Sequence, residues 1–308
     1  MIERQTLLVV GAGASIPFKF PSGRELVTAV CAGLRKDNRQ LFQLLRACGF
    51  GAEQIVAFRD ALARSGRPSV DRFLEFRTEF MAVGKTAIAA TLIPFEGEDA
   101  LFGSDRNWIE YVWHQLGDLH DIAQGQLSIV TFNYDRAIEH YLLTVLQSAH
   151  GVTPEKATRY VQQAIPIIHV YGELGGLPLL DGRGARPYQP ADPRSAPAVA
   201  FAAKDSIKIV HEGVDDNLAL GRARQLVTEA NVICFLGFGY LPENLKRIGI
   251  HDRKADAIVW GSAHGVGHAQ RHEIDRIFKE AAGKQPIILG GPADDALEFL
   301  RQHPVFAP

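Results

Sequence analysis

Six short apolar runs constrain this chain more than anything else in it. Leu7–Val10, Ser128–Phe132, Pro166–Val170, Val232–Leu236, Ala257–Trp260 and Pro286–Leu289 are compact, rich in aliphatic and β-branched residues, and mostly end in Gly, Asn or a polar turn. They lack the polar alternation of a strand with one wet face. Strands of that kind are buried on both sides, which calls for a parallel sheet covered by helices. The expected class is α/β: a six-stranded, doubly wound parallel sheet whose ligands sit at the carboxyl ends of the strands.

The runs are unevenly spaced. Between Val10 and Ser128 no strand pattern appears. Leu26, Val27, Val30, Cys31 and Leu34 recur at helical spacing, and Phe73, Leu74, Phe76, Phe80 and Met81 form a second helical stripe. Residues 24–125 therefore read as a helical module inserted after the first strand, and residues 126–308 as the rest of the sheet. Together they make one domain over 1–308. Ser22 and Glu25 form a capping box, and Pro17 and Pro21 hold the helix off until that point. Residues 14–21 are thus expected to be a loop, free to close over a ligand. Residues 177–204, rich in Pro, Gly and Ala, read as a surface loop or flap.

Composition excludes several classes. With 308 residues and a net charge of −2, the chain has no basic field that would favour nucleic acid. No apolar run approaches the roughly 20 residues of a membrane span. Met1–Gln5 lead straight into the first strand without signal-peptide architecture. The three cysteines, Cys31, Cys48 and Cys234, are scattered, as expected of a cytoplasmic protein without a disulfide framework or structural zinc.

Four strand ends carry polar or glycine motifs. Gly11-Ala12-Gly13-Ala14-Ser15 follows the first run. Glycines there let backbone amides approach a pyrophosphate, and they also serve a plain tight turn. A dehydrogenase fingerprint would place a third glycine where Ile16 stands, and an acidic residue about 20 positions on, where Val30-Cys31-Ala32 is found. Thr131-Phe132-Asn133-Tyr134-Asp135 places two polar side chains between a strand and a helix; one of them serves as an N-cap easily, both less so. His169-Val170-Tyr171-Gly172 ends the third run. His169 and Tyr171, two apart, share one side of an extended strand. Gly237-Phe238-Gly239-Tyr240 gives a second G-x-G turn, as suits the other half of a dinucleotide. His268 and His272 lie four apart, so they share a helix face, but no third metal ligand is identifiable.

In order and spacing these segments resemble the sirtuin-like (silent information regulator) family, over most of the chain. GAGAS at 11–15 is similar to its opening nucleotide loop, TFNYD at 131–135 to its Asn-x-Asp motif, HVYG at 169–172 to its His-Gly, and GFGY at 237–240 to its later glycine turn. SVDRFLEF at 69–76 and VGKTAIA at 83–89 resemble the helical insertion of a bacterial branch that includes NAD⁺-cleaving antiphage effectors. The resemblance implies a Rossmann-like fold and an NAD⁺ hydrolase that releases nicotinamide and ADP-ribose. NAD would then be the substrate, with no zinc. It further implies a homo-oligomer, or control by a separately encoded partner such as a hexameric ATPase.

By the same resemblance, Gly11, Ala12, Gly13, Ala14, Ser15, Gly23, Thr131, Asn133, Gly172, Gly237, Phe238 and Gly239 would line the nucleotide. Asn133, Asp135, His169 and Tyr171 would stand at the reacting end, with His169 as base. Two departures matter. The zinc ribbon of the family's protein deacylases cannot be built from three scattered cysteines. Tyr171 also stands immediately before the glycine, where the family has its histidine. Either His169 reaches the pocket, or Tyr171 takes over, or activity is lost. An NAD-dependent deacylase and an inactive NAD or ADP-ribose sensor are the alternative readings.

Overall fold

The computed structural model describes residues 1–35, 40–180, 185–209, 218–279 and 284–307. Six strands form one parallel sheet: β1 Thr6–Val10, β2 Leu127–Thr131, β3 Ile167–His169, β4 Val232–Leu236, β5 Ile258–Gly261 and β6 Ile287–Leu289. Each lies within one residue or so of its expected run. The order across the sheet is β3-β2-β1-β4-β5-β6, with Val10 level with Thr131 on one side and Leu236 on the other. The sheet is a doubly wound, Rossmann-like sheet that reverses between β1 and β4, the place where such sheets open a ligand crevice.

Burial explains the composition of the runs. The central β1, β2 and β4 are buried at every residue, whereas β3 is only half-buried and β6 exposes Ile288. Apolar residues are continuous where helices cover both faces, and this weakens toward the edges.

Between β1 and β2 the described residues hold eight α-helices and no strand. The first, Gly23–Gly33, starts on the expected capping box: Ser22 Oγ accepts from the Glu25 amide at 3.4 Å, and Glu25 Oε2 accepts from the Ser22 amide at 2.8 Å. The helix Met81–Leu92 is buried nearly all round, so it forms the centre of this bundle rather than its wall. Gly84 lets the Leu74 side chain against it: a Cβ there would lie 2.6 Å from Leu74 Cδ2. Phe58, Phe73 and Phe80 pack with ring centroids about 6 Å apart.

Two expectations need correction. Residues 14–21 are not a free loop. Ala12–Phe18 wind into a short 3-10 helix, and Trp108 of the inserted helix Trp108–Gln115 donates its indole N–H to the Ala14 carbonyl at 2.7 Å. Phe18 and Phe20 are buried, which anchors the far end. Nor is 177–204 only a surface flap. It contains the helix Ala196–Ala203, whose small side chains pack against the helices Gln40–Ala47 and Met81–Leu92; residues 181–184 lie outside the described residues. Arg136, with no exposed surface, donates to the carbonyls of Gly176, Arg186 and Pro187 and pairs bidentately with buried Glu96 at 2.6–2.9 Å. Arg186 adds a second cation to Glu96. The start of the segment is thereby tied to both the sheet and the inserted module.

Candidate functional site

At the switch point the turns after β1 and β4 touch backbone to backbone. The Gly11 amide donates to the Leu236 carbonyl at 3.0 Å and the Gly13 amide to the Gly237 carbonyl at 2.9 Å. A Cβ on Gly11 or Gly13 would come within 2.7–2.9 Å of the Gly237 carbonyl oxygen. Gly237 has φ +56°, and a Cβ there would sit 2.0 Å from the Ala14 nitrogen. These three glycines are thus required by the packing of the two turns. Phe238 packs on Phe132 and Phe235 beneath them, while Gly239 faces open space. Ala12 and Gly13 remain partly exposed.

The polar residues of this edge converge. Ser15 Oγ donates to Asp135 Oδ2 at 2.7 Å. Asn133 Nδ2 donates to the Gly11 carbonyl at 3.0 Å and to Ser15 Oγ at 2.9 Å, while the Asn133 amide is held by Thr131 Oγ1. Asp135 Oδ1 accepts from the Ala137 amide, at the start of the helix Ala137–His150, at 3.3 Å. Burial pushes the Asp135 carboxyl up to about 6, against the lowering effect of its Ser15 and Ala137 bonds and the His169 charge. Asn133 Oδ1 is buried and meets no donor among the described residues. A buried acceptor left without a donor is costly in a folded protein and marks a place where a ligand or water group fits.

His169 joins the cluster at the end of β3. Its Nδ1 lies 2.8 Å from the Asn133 carbonyl oxygen and its Nε2 2.7 Å from Glu139 Oε1. Burial disfavours the imidazolium, but the Glu139 charge and hydrogen bond, helped by Glu173 and the Asn133 carbonyl, carry its pKa up to about 9.

Tyr171 does not share His169's surroundings. β3 ends at His169, so the extended alternation that would put both on one side stops short of Tyr171. The Tyr171 hydroxyl instead donates to Asn244 Oδ1 at 2.8 Å and accepts from Arg247 of the helix Pro242–Arg247. Gly172 has φ +70° and bridges to Ile207, where a Cβ would collide with the Ser206 carbonyl. Gly23 opens the helix Gly23–Gly33, and its neighbours are Pro68 and Ser69 of the inserted module.

Several neighbours carried no motif. Glu139 sits on an otherwise apolar face of its helix; a charged residue buried among Ile138, Leu142 and Leu143 was the available signal. From the inserted module, Asp71 accepts from the Tyr134 hydroxyl and Glu75 pairs with Arg247 at 3.0 Å. SVDRFLEF therefore spans the ends of β2 and β4. Tyr188, buried and stacked on His140, presents a hydroxyl with no partner among the described residues.

Chemically, the edge offers a hydroxyl, a carboxamide, two carboxylates and an imidazole, with Ser15, Asn133, Asp135 and Glu139 each less than a tenth exposed. His268 and His272 meet edge to face, ring centroids 4.4 Å apart, and among the described residues no group of three His, Cys, Asp or Glu is placed to hold a metal. No described helix is long and apolar enough to cross a membrane. The chain matches no protein-family model and no curated protein.

Proposed function

We propose that this chain is an NAD⁺ hydrolase of sirtuin-like character that cleaves NAD⁺ to nicotinamide and ADP-ribose, and that it serves antiphage defence by depleting NAD⁺. The observation that carries the reading is the Asn133 carboxamide oxygen: buried just after β2, next to Ser15, Asp135 and His169, and without a donor among the described residues. A ribose hydroxyl is the kind of donor that fits it.

Cleavage of the bond between ribose C1′ and nicotinamide passes through an oxocarbenium-like state, so the protein has to fix the ribose and place water near C1′. Asn133 would hold the nicotinamide ribose. Asp135 would face the growing positive charge, and Ala12 and Gly13 would border the diphosphate. The edge is closed by the Ser15 bonds to Asn133 and Asp135, so entry of NAD⁺ requires the 3-10 helix Ala12–Phe18 to lift. That suits an effector held at rest until self-assembly or a partner such as a hexameric ATPase releases it. A zinc-free site is consistent with Cys234 lying in the core strand β4 while Cys31 and Cys48 lie in the inserted module. A second reading, an NAD⁺ or ADP-ribose sensor without turnover, is favoured by the engagement of both His169 nitrogens.

Incubation with NAD⁺, following nicotinamide and ADP-ribose by chromatography with and without an acyl-lysine peptide, separates the readings. The hydrolase reading expects peptide-independent release that Asn133→Ala removes. Release only with peptide indicates a deacylase; ligand-dependent rise of Tm without consumption indicates a sensor.

A further inference from the structure

Both nitrogens of His169 are spent. A backbone carbonyl can only accept, so Nδ1, 2.8 Å from the Asn133 carbonyl, carries a hydrogen. Nε2 and Glu139 Oε1, 2.7 Å apart, hold one proton between them. With the His169 pKa lifted to about 9, that proton rests on the ring near neutral pH. An imidazolium has no lone pair left for a substrate proton. The oxygen that does is Glu139 Oε2, which is buried and meets no donor among the described residues. The charged and titratable groups around the pair are Asp135 on the loop after β2, Glu173 after β3 and the Tyr188 hydroxyl from the 177–204 segment.

We propose that Glu139 is the catalytic proton acceptor of this site, that its Oε2 takes the proton of the attacking water or of a ribose hydroxyl, and that His169 is its positioning residue. The inference rests on the hydrolase reading. In the step it describes, the water oxygen bonds to C1′ as the C1′–N bond breaks, and that bond's electron pair neutralises the pyridinium of the leaving nicotinamide. The water proton passes to Glu139 and then to solvent. His169 stays protonated throughout, pinned by the Asn133 carbonyl, and holds the carboxylate in place through its Nε2. The assignment moves the base from a residue with a recognisable motif to one with none.

The test uses the full chain in two independent measurements. Nitrogen and proton NMR of the His169 ring needs no variant. Both ring nitrogens are expected to remain protonated to about pH 8, and Glu139→Gln is expected to bring titration down by more than one unit. Titration of wild-type His169 near 6.5 overturns the inference even if NAD⁺ is cleaved. Under conditions where wild type turns over, Glu139→Gln is expected to lower kcat at least about 100-fold, the usual scale of a lost general base, with ADP-ribose Kd within about threefold. His169→Gln is expected to lose about tenfold in kcat with KM within about threefold. Loss of activity in His169→Gln with Glu139→Gln near wild type overturns the assignment and leaves the hydrolase reading standing. A chain with the NMR signature of the pair but no NAD⁺ cleavage under any condition overturns both.

Discussion

The two halves of the carboxyl edge are built in opposite ways. On the β1/β4 side, backbone meets backbone: the Gly11 and Gly13 amides are satisfied by Leu236 and Gly237, and the glycines are there because no Cβ fits. On the β2/β3 side, Asn133, Glu139 and the neighbouring Tyr188 keep buried polar atoms with no partner among the described residues. A glycine turn that looks like a phosphate cradle is in the first place a packing solution. The chemistry is better sought where polar satisfaction is incomplete, because leaving a buried group unpaired costs stability that function has to justify.

That contrast predicts opposite responses to substitution. The largest effect belongs to the glycine side. Gly237→Val puts a branched side chain at positive φ and against the Ala14 nitrogen, two strains of about 1–3 kcal/mol each. The expected outcome in urea unfolding is a midpoint drop large enough to leave little folded protein, with activity lost only as folded protein is lost. Next comes Arg136→Met, which leaves buried Glu96 with Arg186 as its one remaining cation among the described residues; the roughly 3–5 kcal/mol for breaking a buried pair from one side is the upper bound of its cost. It is expected to loosen the 177–204 segment, seen as faster proteolysis there. Asn133→Ala, on the polar side, should cost only about 1–2 kcal/mol for its bonds to Gly11 and Ser15 while removing NAD⁺ cleavage altogether. A stability loss as large as that of Gly237→Val would erase the distinction.

The pH dependence sharpens the same contrast, because His169 and Asp135 both sit on the polar side. His169 is raised above its unfolded value, so its contribution is full below about 6.5 and is lost as pH rises through about 9. Asp135 is also raised, so stability falls as pH rises from about 4 through about 6, when the unfolded chain ionises first. Melting across pH 4–10 should show both declines, with Asp135→Asn flattening the lower window and Glu139→Gln the upper. The smallest effect is expected from Tyr171→Phe. Its hydroxyl belongs to the Asn244–Arg247 network, so stability should change by about 1 kcal/mol and turnover by less than threefold.

The sheet was legible because its strands are short, continuous and buried on both faces, a pattern with few other solutions. Ser22–Glu25 was legible because a capping box is local. The 3-10 helix at Ala12–Phe18 was not, because what stabilises it is Trp108, almost a hundred residues away. The anchoring of 177–204 was hidden for the same reason: Arg136 and Glu96 are unremarkable charges until the fold buries them together. Within the candidate site, Ser15, Asn133, Asp135 and His169 were found as strand-end polar residues. Their mutual bonding, and the pairing of Glu139 with His169, depends on the register of β2 against β3 and on the pitch of the following helix, which periodicity alone does not supply.

The most direct measurement is a crystal structure with ADP-ribose bound. A ribose hydroxyl is expected about 3 Å from Asn133 Oδ1, the diphosphate against Ala12 and Gly13, and the Ala12–Phe18 helix lifted with the Ser15–Asp135 bond broken. ADP-ribose seated elsewhere on the chain, with the Ser15, Asn133 and Asp135 cluster still closed and Asn133 Oδ1 still without a donor, would contradict it.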